Sequence, residues 1–165
     1  MNTEYVPMPL CKSPSEKSCY ALSSKPGNWI YRFANGAVGE GPVVNDKKHG
    51  HWVIRLPDGS VQEGRIVHGE QHGTWIYRLV DGSVHKGPIV RGKRHGHWVI
   101  RQTDGVVGEG AMVNDKPHGH WILRYADGRM GEGPLVNGKQ HGYWVYRATD
   151  GSESIKRWEN GVEKK

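Results

Sequence analysis

Five histidines recur at a fixed interval and would be metal-ligand candidates if the fold brought them together. They lie 23 residues apart, each directly before a glycine: His49, His72, His95, His118 and His141. In a sheet built from hairpin repeats, equivalent residues lie two strands apart, about 9.5 Å. That separation is too long for one ion to join two of them. Only close neighbours such as His95 and His97 could share an ion, and no carboxylate or cysteine recurs beside them. The row predicts turn packing, with no metal site and no cofactor.

Catalytic chemistry has little support in the residue pattern. Asp58 and Glu63 could form an acid–base pair, but equivalent positions return along the chain, as turn and strand positions do. No serine or cysteine stands in a nucleophile motif, and no glycine-rich loop opens a helix. Cys11 and Cys19 could pair with each other, yet they lack the second Cys/His pair of a zinc site. We expect no catalytic residues and a protein that is not an enzyme.

Charged residues recur with the same period. An arginine stands at six equivalent positions: Arg32, Arg55, Arg78, Arg101, Arg124 and Arg147. A second position carries Glu40, Glu63, Glu109 and Glu132, with Lys86 in the remaining copy. This pattern predicts a cross-strand ladder of alternating charge, with neighbours about 4.8 Å apart. The most basic region, and the candidate anion-binding site, consists of Arg78, Lys86, Lys93, Arg94 and Arg101. A phospholipid headgroup would dock there in preference to nucleic acid.

Tryptophan gives the most regular signal. The tryptophan row consists of Trp29, Trp52, Trp75, Trp98, Trp121 and Trp144, each two residues after a glycine. One interpretation is structural, because each buried large apolar side chain contributes about 1.5–3 kcal/mol. The other is functional: a sheet of one layer has nothing to cover this face, so the row would form an apolar groove. On that hypothesis the six tryptophans are the partner-binding face for a protein segment or a second copy of the chain.

The elements that position these rows are short strands. Each unit holds two runs rich in β-branched and aromatic residues, such as 51–56 and 61–67, joined by Asp-Gly or Asn-Gly. A three-residue loop at Pro57-Asp58-Gly59 sets Trp52 opposite Gly64, large against small. The reverse connection is expected to be a loop of the 137–142 kind. No helical period is visible, and six ungapped copies predict an all-β protein: a single-layer antiparallel meander of β-hairpin repeats, forming an elongated twisted ribbon.

Composition fits a thin repeat fold. The chain has 165 residues, 24 of them glycine, 35% hydrophobic residues and a formal net charge of +6. Residues 1–17 are non-repetitive and predict an N-terminal tail or cap. Residues 18–165 form the array, with degenerate half-units at both ends. The first residues lack the apolar core of a signal peptide, and no apolar run reaches the ~20 residues of a spanning helix. We expect a cytoplasmic protein, with peripheral membrane association as a further option.

The segment Asn137-Gly138-Lys139-Gln140-His141-Gly142, followed by Asp150-Gly151 and a strand, resembles the MORN (membrane occupation and recognition nexus) repeat. The period of 23 residues is the family's, and the run from His49 to Gly59 carries the same resemblance. The family usually places Tyr and Trp before Asn-Gly. Here that position carries Val43, Ile66, Ile89, Met112 and Leu135, and only Trp158 restores an aromatic residue. The chain thus resembles a variant of this repeat with Trp in the second strand of each hairpin.

The resemblance implies a ribbon of hairpins and a scaffold or membrane-associated role. Our leading interpretation is a non-catalytic scaffold or adaptor that binds a protein partner, or itself, through the aromatic face. The alternative is recruitment to an anionic phospholipid surface through the basic region. A third reading, cell-wall recognition of a choline-type ligand, rests on a resemblance of the Gly-x-Trp hairpins to choline-binding repeats.

Overall fold

The chain folds into one antiparallel sheet in which successive strands are neighbours. The computed structural model describes residues 19–22, 28–45 and 47–165, and within them it contains strands and turns only. No helix in this part of the chain is long and apolar enough to cross a membrane. The predicted tail at 1–17, with Cys11, lies outside the described residues. The strands are β1 Cys19–Leu22, β2 Asn28–Arg32, β3 Val38–Val44, β4 Lys47–Lys48, β5 Gly50–Arg55, β6 Val61–Val67, β7 Glu70–Arg78, β8 Val84–Val90, β9 Lys93–Arg94, β10 Gly96–Arg101, β11 Val107–Val113, β12 Lys116–Arg124, β13 Met130–Val136, β14 Lys139–Gln140, β15 Gly142–Arg147, β16 Glu153–Glu159 and β17 Val162–Lys164.

Each long strand pairs antiparallel with the next one along the chain, so the predicted meander is confirmed. Strands β4 and β5 are two halves of one strand separated by His49, and β9 with β10 and β14 with β15 repeat this arrangement. Strand β1 pairs with β2 at one end and β17 pairs with β16 at the other. The sheet is open, because none of the recorded pairings joins β17 to β1.

One edge of the ribbon carries the predicted three-residue turns. Leu56 N–H donates to the Ser60 carbonyl at 2.8 Å and Gly59 N–H donates to the Leu56 carbonyl. Gly59 has φ +92°, a conformation that costs glycine little and other residues much. The Asp58 carboxylate accepts the Ser60 N–H at 2.8 Å, which fixes the turn. Trp52 therefore lies opposite Gly64, in the register that the sequence predicts.

The other edge differs from the expected long loop. Val136 pairs with Lys139, so Asn137 and Gly138 alone make the turn, at φ +51° and +83°. The chain then re-enters the sheet, and the register changes around His141 and Gly142 in a β-bulge, where Gly142 has φ +71°. The six-residue loop predicted at 137–142 was wrong because the histidine–glycine pair forms a bulge within a strand.

The two faces of the sheet have different compositions because side chains alternate along each strand. One face, here the aromatic face, carries the tryptophan row and the buried residues Ile54, Ile66, Ile89 and Met112. The opposite face, here the charged face, carries the arginine and glutamate rows between half-buried Val and Ile. The core is therefore a strip along one face of a single layer. This explains how 35% hydrophobic residues suffice.

Candidate functional site on the aromatic face

From Trp52 onward, each indole of the tryptophan row lies across the strand that precedes it. A Cβ built on Gly87 would lie 2.3 Å from Trp98, and one on Gly64 would lie 2.5 Å from Trp75. Because the glycine on the adjacent preceding strand has no side chain, it leaves the space that the ring occupies. Trp98 Nε1–H donates to the Pro88 carbonyl at 3.1 Å, which satisfies the polar edge of the buried ring. The same bond joins Trp144 to Pro134 and Trp121 to Ala111.

The bulge supports this packing. The Pro88 carbonyl also accepts the His95 N–H at 3.1 Å, so one backbone oxygen holds both the bulge and the indole. Proline is tolerated at this strand position because the partner strand is bulged there, so the ladder does not need the N–H that proline lacks. The recurring histidine and glycine therefore position the next tryptophan, and the row of histidines is structural. Within the described residues no group of three His, Cys, Asp or Glu could hold a metal ion.

The tryptophans predicted as the partner-binding face are buried. Trp52, Trp75, Trp98 and Trp144 are 0% exposed, Trp121 is 3% exposed and Trp29 is half-buried. A ring without exposed surface cannot touch a partner in this conformation, so the interior rings serve as core. The accessible surface of the face is made by the residues two positions later. This outer row consists of Tyr31, Ile54, Tyr77, Ile100, Leu123 and Tyr146.

The outer row packs on the tryptophans and stays partly exposed. The Tyr77 ring lies 5.8 Å from that of Trp98 and 6.4 Å from that of Trp75. Burial raises the pKa of Tyr77, and the nearby Asp115 charge adds to the rise against Arg94 and Gln71. Tyr146 stacks 6.1 Å from Trp144, and burial likewise raises the pKa of its hydroxyl. Ile54 is only 9% exposed, and the other five side chains of the outer row are partly exposed to solvent.

A second row closes the tryptophans from the other side. This flanking row consists of Lys48, Gln71, Arg94, Pro117 and Gln140, each directly before a row histidine. Gln140 Nε2 donates to Tyr146 Oη at 2.9 Å, and Gln71 hydrogen-bonds Tyr77. Arg94 lies 5.8 Å over the Trp98 ring. These side chains reach across the indoles to the outer row, so a one-layer sheet seals its core without a second layer.

The flanking row is cationic at the N-terminal end. Lys48 Nζ lies 4.1 Å from the Tyr31 ring centroid, 4.4 Å from Phe33 and 5.8 Å from Trp52. Burial lowers the pKa of Lys48, as desolvation does for an amine. The three rings have the geometry of a cation cage. A choline-type ligand would have to displace the lysine that the chain itself places there.

The aromatic face opens into a groove at the C-terminal end. Its volume is about 510 Å³, and its walls include Tyr125, Tyr146, Trp158, Lys156 and Glu163. In the interior units, the residue opposite each tryptophan is a glycine, which leaves room for the indole of the following unit. Here Lys156 lies opposite Trp144 instead, and its ammonium pairs with Glu163 at 3.0 Å. Trp158, which lies opposite Gly142, forms part of the wall of this space. The groove is therefore an apolar concavity with polar residues at its rim, on the accessible part of this face.

The five basic candidates do not form one patch. Arg94 lies on the aromatic face and contacts Asp115 at 3.5 Å, whereas Arg78, Lys86 and Arg101 lie on the charged face. Lys93 is exposed at the turn edge. Arg78 binds Glu63 at 3.0 Å, which neutralises it. Lys86 and Arg101 remain as the candidates that the structure brings together.

The predicted charge ladder was wrong in its register. Arg78 lies directly opposite Val61 and Val84, and Glu63 lies opposite Ile76 and Val53. Arginine and glutamate occupy neighbouring rows, so their ion pairs are diagonal. Arg78–Glu63 and Arg124–Glu109 are the interior examples. With the observed register, each arginine lies two residues along the strand from the position directly opposite the glutamate. The repeat period alone does not determine this offset.

Sequence reasoning missed the outer and flanking rows. A signal was present, because position 77 and its equivalents at 100, 123 and 146 are all large and apolar or aromatic. The strict conservation of residue type along the tryptophan row drew attention to the buried row. The varied residue types of the outer row are what a surface position shows.

Comparisons with known proteins add a likeness of fold. No family model matches the chain, and no curated protein matches it. Among solved structures, the wild-type TCP10 domain of Danio rerio CPAP has a TM-score of 0.52 at 13% identity, over 86% of this chain and 73% of that chain.

Two related structures are less similar. The same Danio rerio domain in complex with a peptide of STIL has a TM-score of 0.47 at 13% identity, over 85% of this chain and 74% of that one. The SAS-4 (dCPAP) TCP domain of Drosophila melanogaster, in complex with a proline-rich motif of Ana2, has a TM-score of 0.36 at 13% identity, over 89% and 94%. At 13% identity, the likeness to the domain with a TM-score of 0.52 concerns the fold alone.

Proposed function

We propose that this chain is a non-catalytic adaptor that binds an extended, proline-rich segment of a partner protein along its aromatic face. The observation that carries the proposal is the outer row, a line of half-buried Tyr, Ile and Leu side chains over a sealed core. Partly exposed aromatic and apolar residues in a continuous line are typical of protein-binding surfaces. The scaffold role predicted from the MORN-like pattern fits this use of the ribbon.

The spacing of the outer row selects the conformation of the ligand. Equivalent residues lie two strands apart, about 9.5 Å. A polyproline II helix has three residues per turn and a rise of 3.1 Å, so one of its faces repeats about every 9.3 Å. A peptide that crosses the strands at right angles can therefore place one residue between each pair of outer-row side chains. An α-helix repeats every 5.4 Å and would lose register within two units.

The flanking row supplies the polar contacts that such a ligand needs. A polyproline II segment makes no internal hydrogen bonds, so its carbonyls need donors. Gln71, Arg94 and Gln140 stand along the same face as half-buried donors. The groove beside Tyr125, Tyr146 and Trp158 gives the end of the peptide a deeper seat. Aromatic-lined grooves with such donors are the usual receptors of proline-rich segments.

Isothermal titration of the full chain tests the proposal. The probe is a capped peptide of about four Pro-Pro-Leu repeats, one three-residue turn for each accessible outer-row position. The control is a helix-forming Glu-Ala-Ala-Ala-Lys peptide of equal length. We expect saturable binding of the first peptide and none of the second. Equal binding of both, or binding of neither while phosphatidylserine vesicles bind, would overturn the proposal, the latter in favour of membrane recruitment.

A further inference from the structure

On the charged face, one unit carries a lysine where the equivalent position of the neighbouring units carries a glutamate, and we call this place the break. In the unit before the break, Glu63 lies opposite Ile76, Arg78 lies opposite Val61, and their side chains meet at 3.0 Å. In the unit after it, Glu109 and Arg124 make the same diagonal pair. At the equivalent place between them, Lys86 lies opposite Val99 and Arg101 lies opposite Val84. Two cations thus occupy the positions that hold a cation and a carboxylate elsewhere.

The surrounding carboxylates do not compensate for this break. Glu109 lies on the other diagonal of Arg101 but is bound to Arg124. Glu63, one strand pair before Lys86, is bound to Arg78. Lys86 and Arg101 are both exposed, and within the described residues neither has an ion-pair partner. Like charges at a diagonal cross-strand position repel each other, so the break costs some stability.

We propose that Lys86 and Arg101 bind a carboxylate from an acidic segment of a partner protein, on the face opposite the peptide-binding row. The missing group at this place is a carboxylate at the reach of a glutamate side chain. An arginine fork with an adjacent ammonium is a complementary receptor for that group. A lipid surface is a poorer match, because stable recruitment requires a cluster of four to eight basic residues and each contributes about 1 kcal/mol.

The site makes the ribbon a two-faced adaptor. The outer row and the Lys86–Arg101 pair lie on opposite sides of the same layer, because Lys86 adjoins Gly87, which holds an indole. The two faces can therefore be occupied independently. Proline-rich binding and acidic binding are separate activities, and loss of one leaves the other intact.

The test measures binding of a capped tetraglutamate peptide to the full chain by nuclear magnetic resonance of side-chain Nε–H groups at constant ionic strength. We expect saturable shifts of the Arg101 signal with Arg78 and Arg124 unaffected. Lys86→Glu restores the ion-pair pattern and should weaken binding about tenfold or more, since it removes one charge-assisted contact and adds a competitor. Lys93→Glu, with the same change in net charge, should leave binding unchanged.

A variant that gains a binding site separates loss of binding from loss of stability, because a destabilised protein does not gain binding. Glu109→Lys creates a second break beside Arg124 and should add a second tetraglutamate site. The proposal fails if Lys93→Glu and Lys86→Glu weaken binding equally, because net charge then explains it. It also fails if the Arg101 signal does not shift, or if phosphatidylserine vesicles bind and Lys86→Glu releases them.

Discussion

The tryptophan row and the outer row are neighbours on one face, with the same period, yet they have opposite relations to solvent. Trp98 is 0% exposed and its N–H is bonded to Pro88, whereas Ile100, two residues on, is half-buried and faces outward. Gly87 leaves room for the Trp98 ring against its strand, whereas Ile100 packs at the side of this core and keeps part of its surface exposed. The most regular residues of this repeat thus stabilise the layer, whereas the less regular row beside them forms the accessible surface.

We expect the largest loss of stability when an indole of the tryptophan row is removed. Trp98→Ala should reduce the free energy of unfolding by about 3–5 kcal/mol, because the site loses both burial and the bond to Pro88. Urea unfolding followed by far-ultraviolet circular dichroism measures the change. Tyr143→Ala is the control, since Tyr143 is 66% exposed and its loss should cost about 0.5 kcal/mol or less. Equal destabilisation by the two variants would contradict the role of the tryptophan row as the core.

We expect a smaller loss of stability when a side chain is added in the space beneath an indole. Gly87→Ala places a methyl group 2.3 Å from Trp98, so the ring must move, at a cost of about 1–3 kcal/mol. Gly108→Ala is the matched control, because Gly108 lies between Ile100 and Leu123 of the outer row and the atom nearest to its added Cβ is Leu123 Cδ2 at 3.2 Å. That flexible side chain can move, and we expect a smaller loss. Urea midpoints in the reverse order would contradict the proposed packing.

The outer row is tested by charge rather than by truncation. Ile100→Lys keeps an apolar stem over the core but places an ammonium in the path of the peptide. We expect proline-rich binding to weaken about tenfold or more, with the urea midpoint shifted by about 1 kcal/mol or less. Val99→Lys is adjacent in sequence and lies on the charged face, so its binding should match wild type. A similar loss in both variants would place the peptide elsewhere.

The smallest effect is a dependence on pH. Burial lowers the pKa of His85 below its ordinary value of 6.5, and Arg94 lowers it further, against a smaller opposite influence of Asp81. His85 lies between Tyr77 and Ile100 in the outer row. The unfolded chain therefore takes up a proton before the folded one, and stability should fall as pH falls below about 6.5. His85→Gln should reduce the change in the urea midpoint between pH 7 and pH 5. If the midpoint of the variant changes with pH as much as that of the wild type, His85 is not the origin of the pH dependence.

The sequence alone was sufficient for the sheet and its hairpin register. The turn at Pro57-Asp58-Gly59 and the pairing of Trp52 with Gly64 follow from turn chemistry and residue size. The bulge at Gly142 could not be predicted, because a histidine–glycine pair is compatible with either a loop or a positive-φ strand position. The seal over the indoles also depends on how far Gln140 and Arg94 reach, which is a property of side-chain geometry. Burial of the tryptophans therefore had to be observed.

The most direct test of the central claim maps the peptide on the labelled full chain. Backbone amide shifts should be recorded during titration with the Pro-Pro-Leu peptide. The account predicts saturable shifts centred on Tyr77, Ile100, Leu123 and Tyr146, across consecutive units and into the groove beside Trp158. Shifts confined to the charged face, to one unit, or absent at saturating peptide would contradict it.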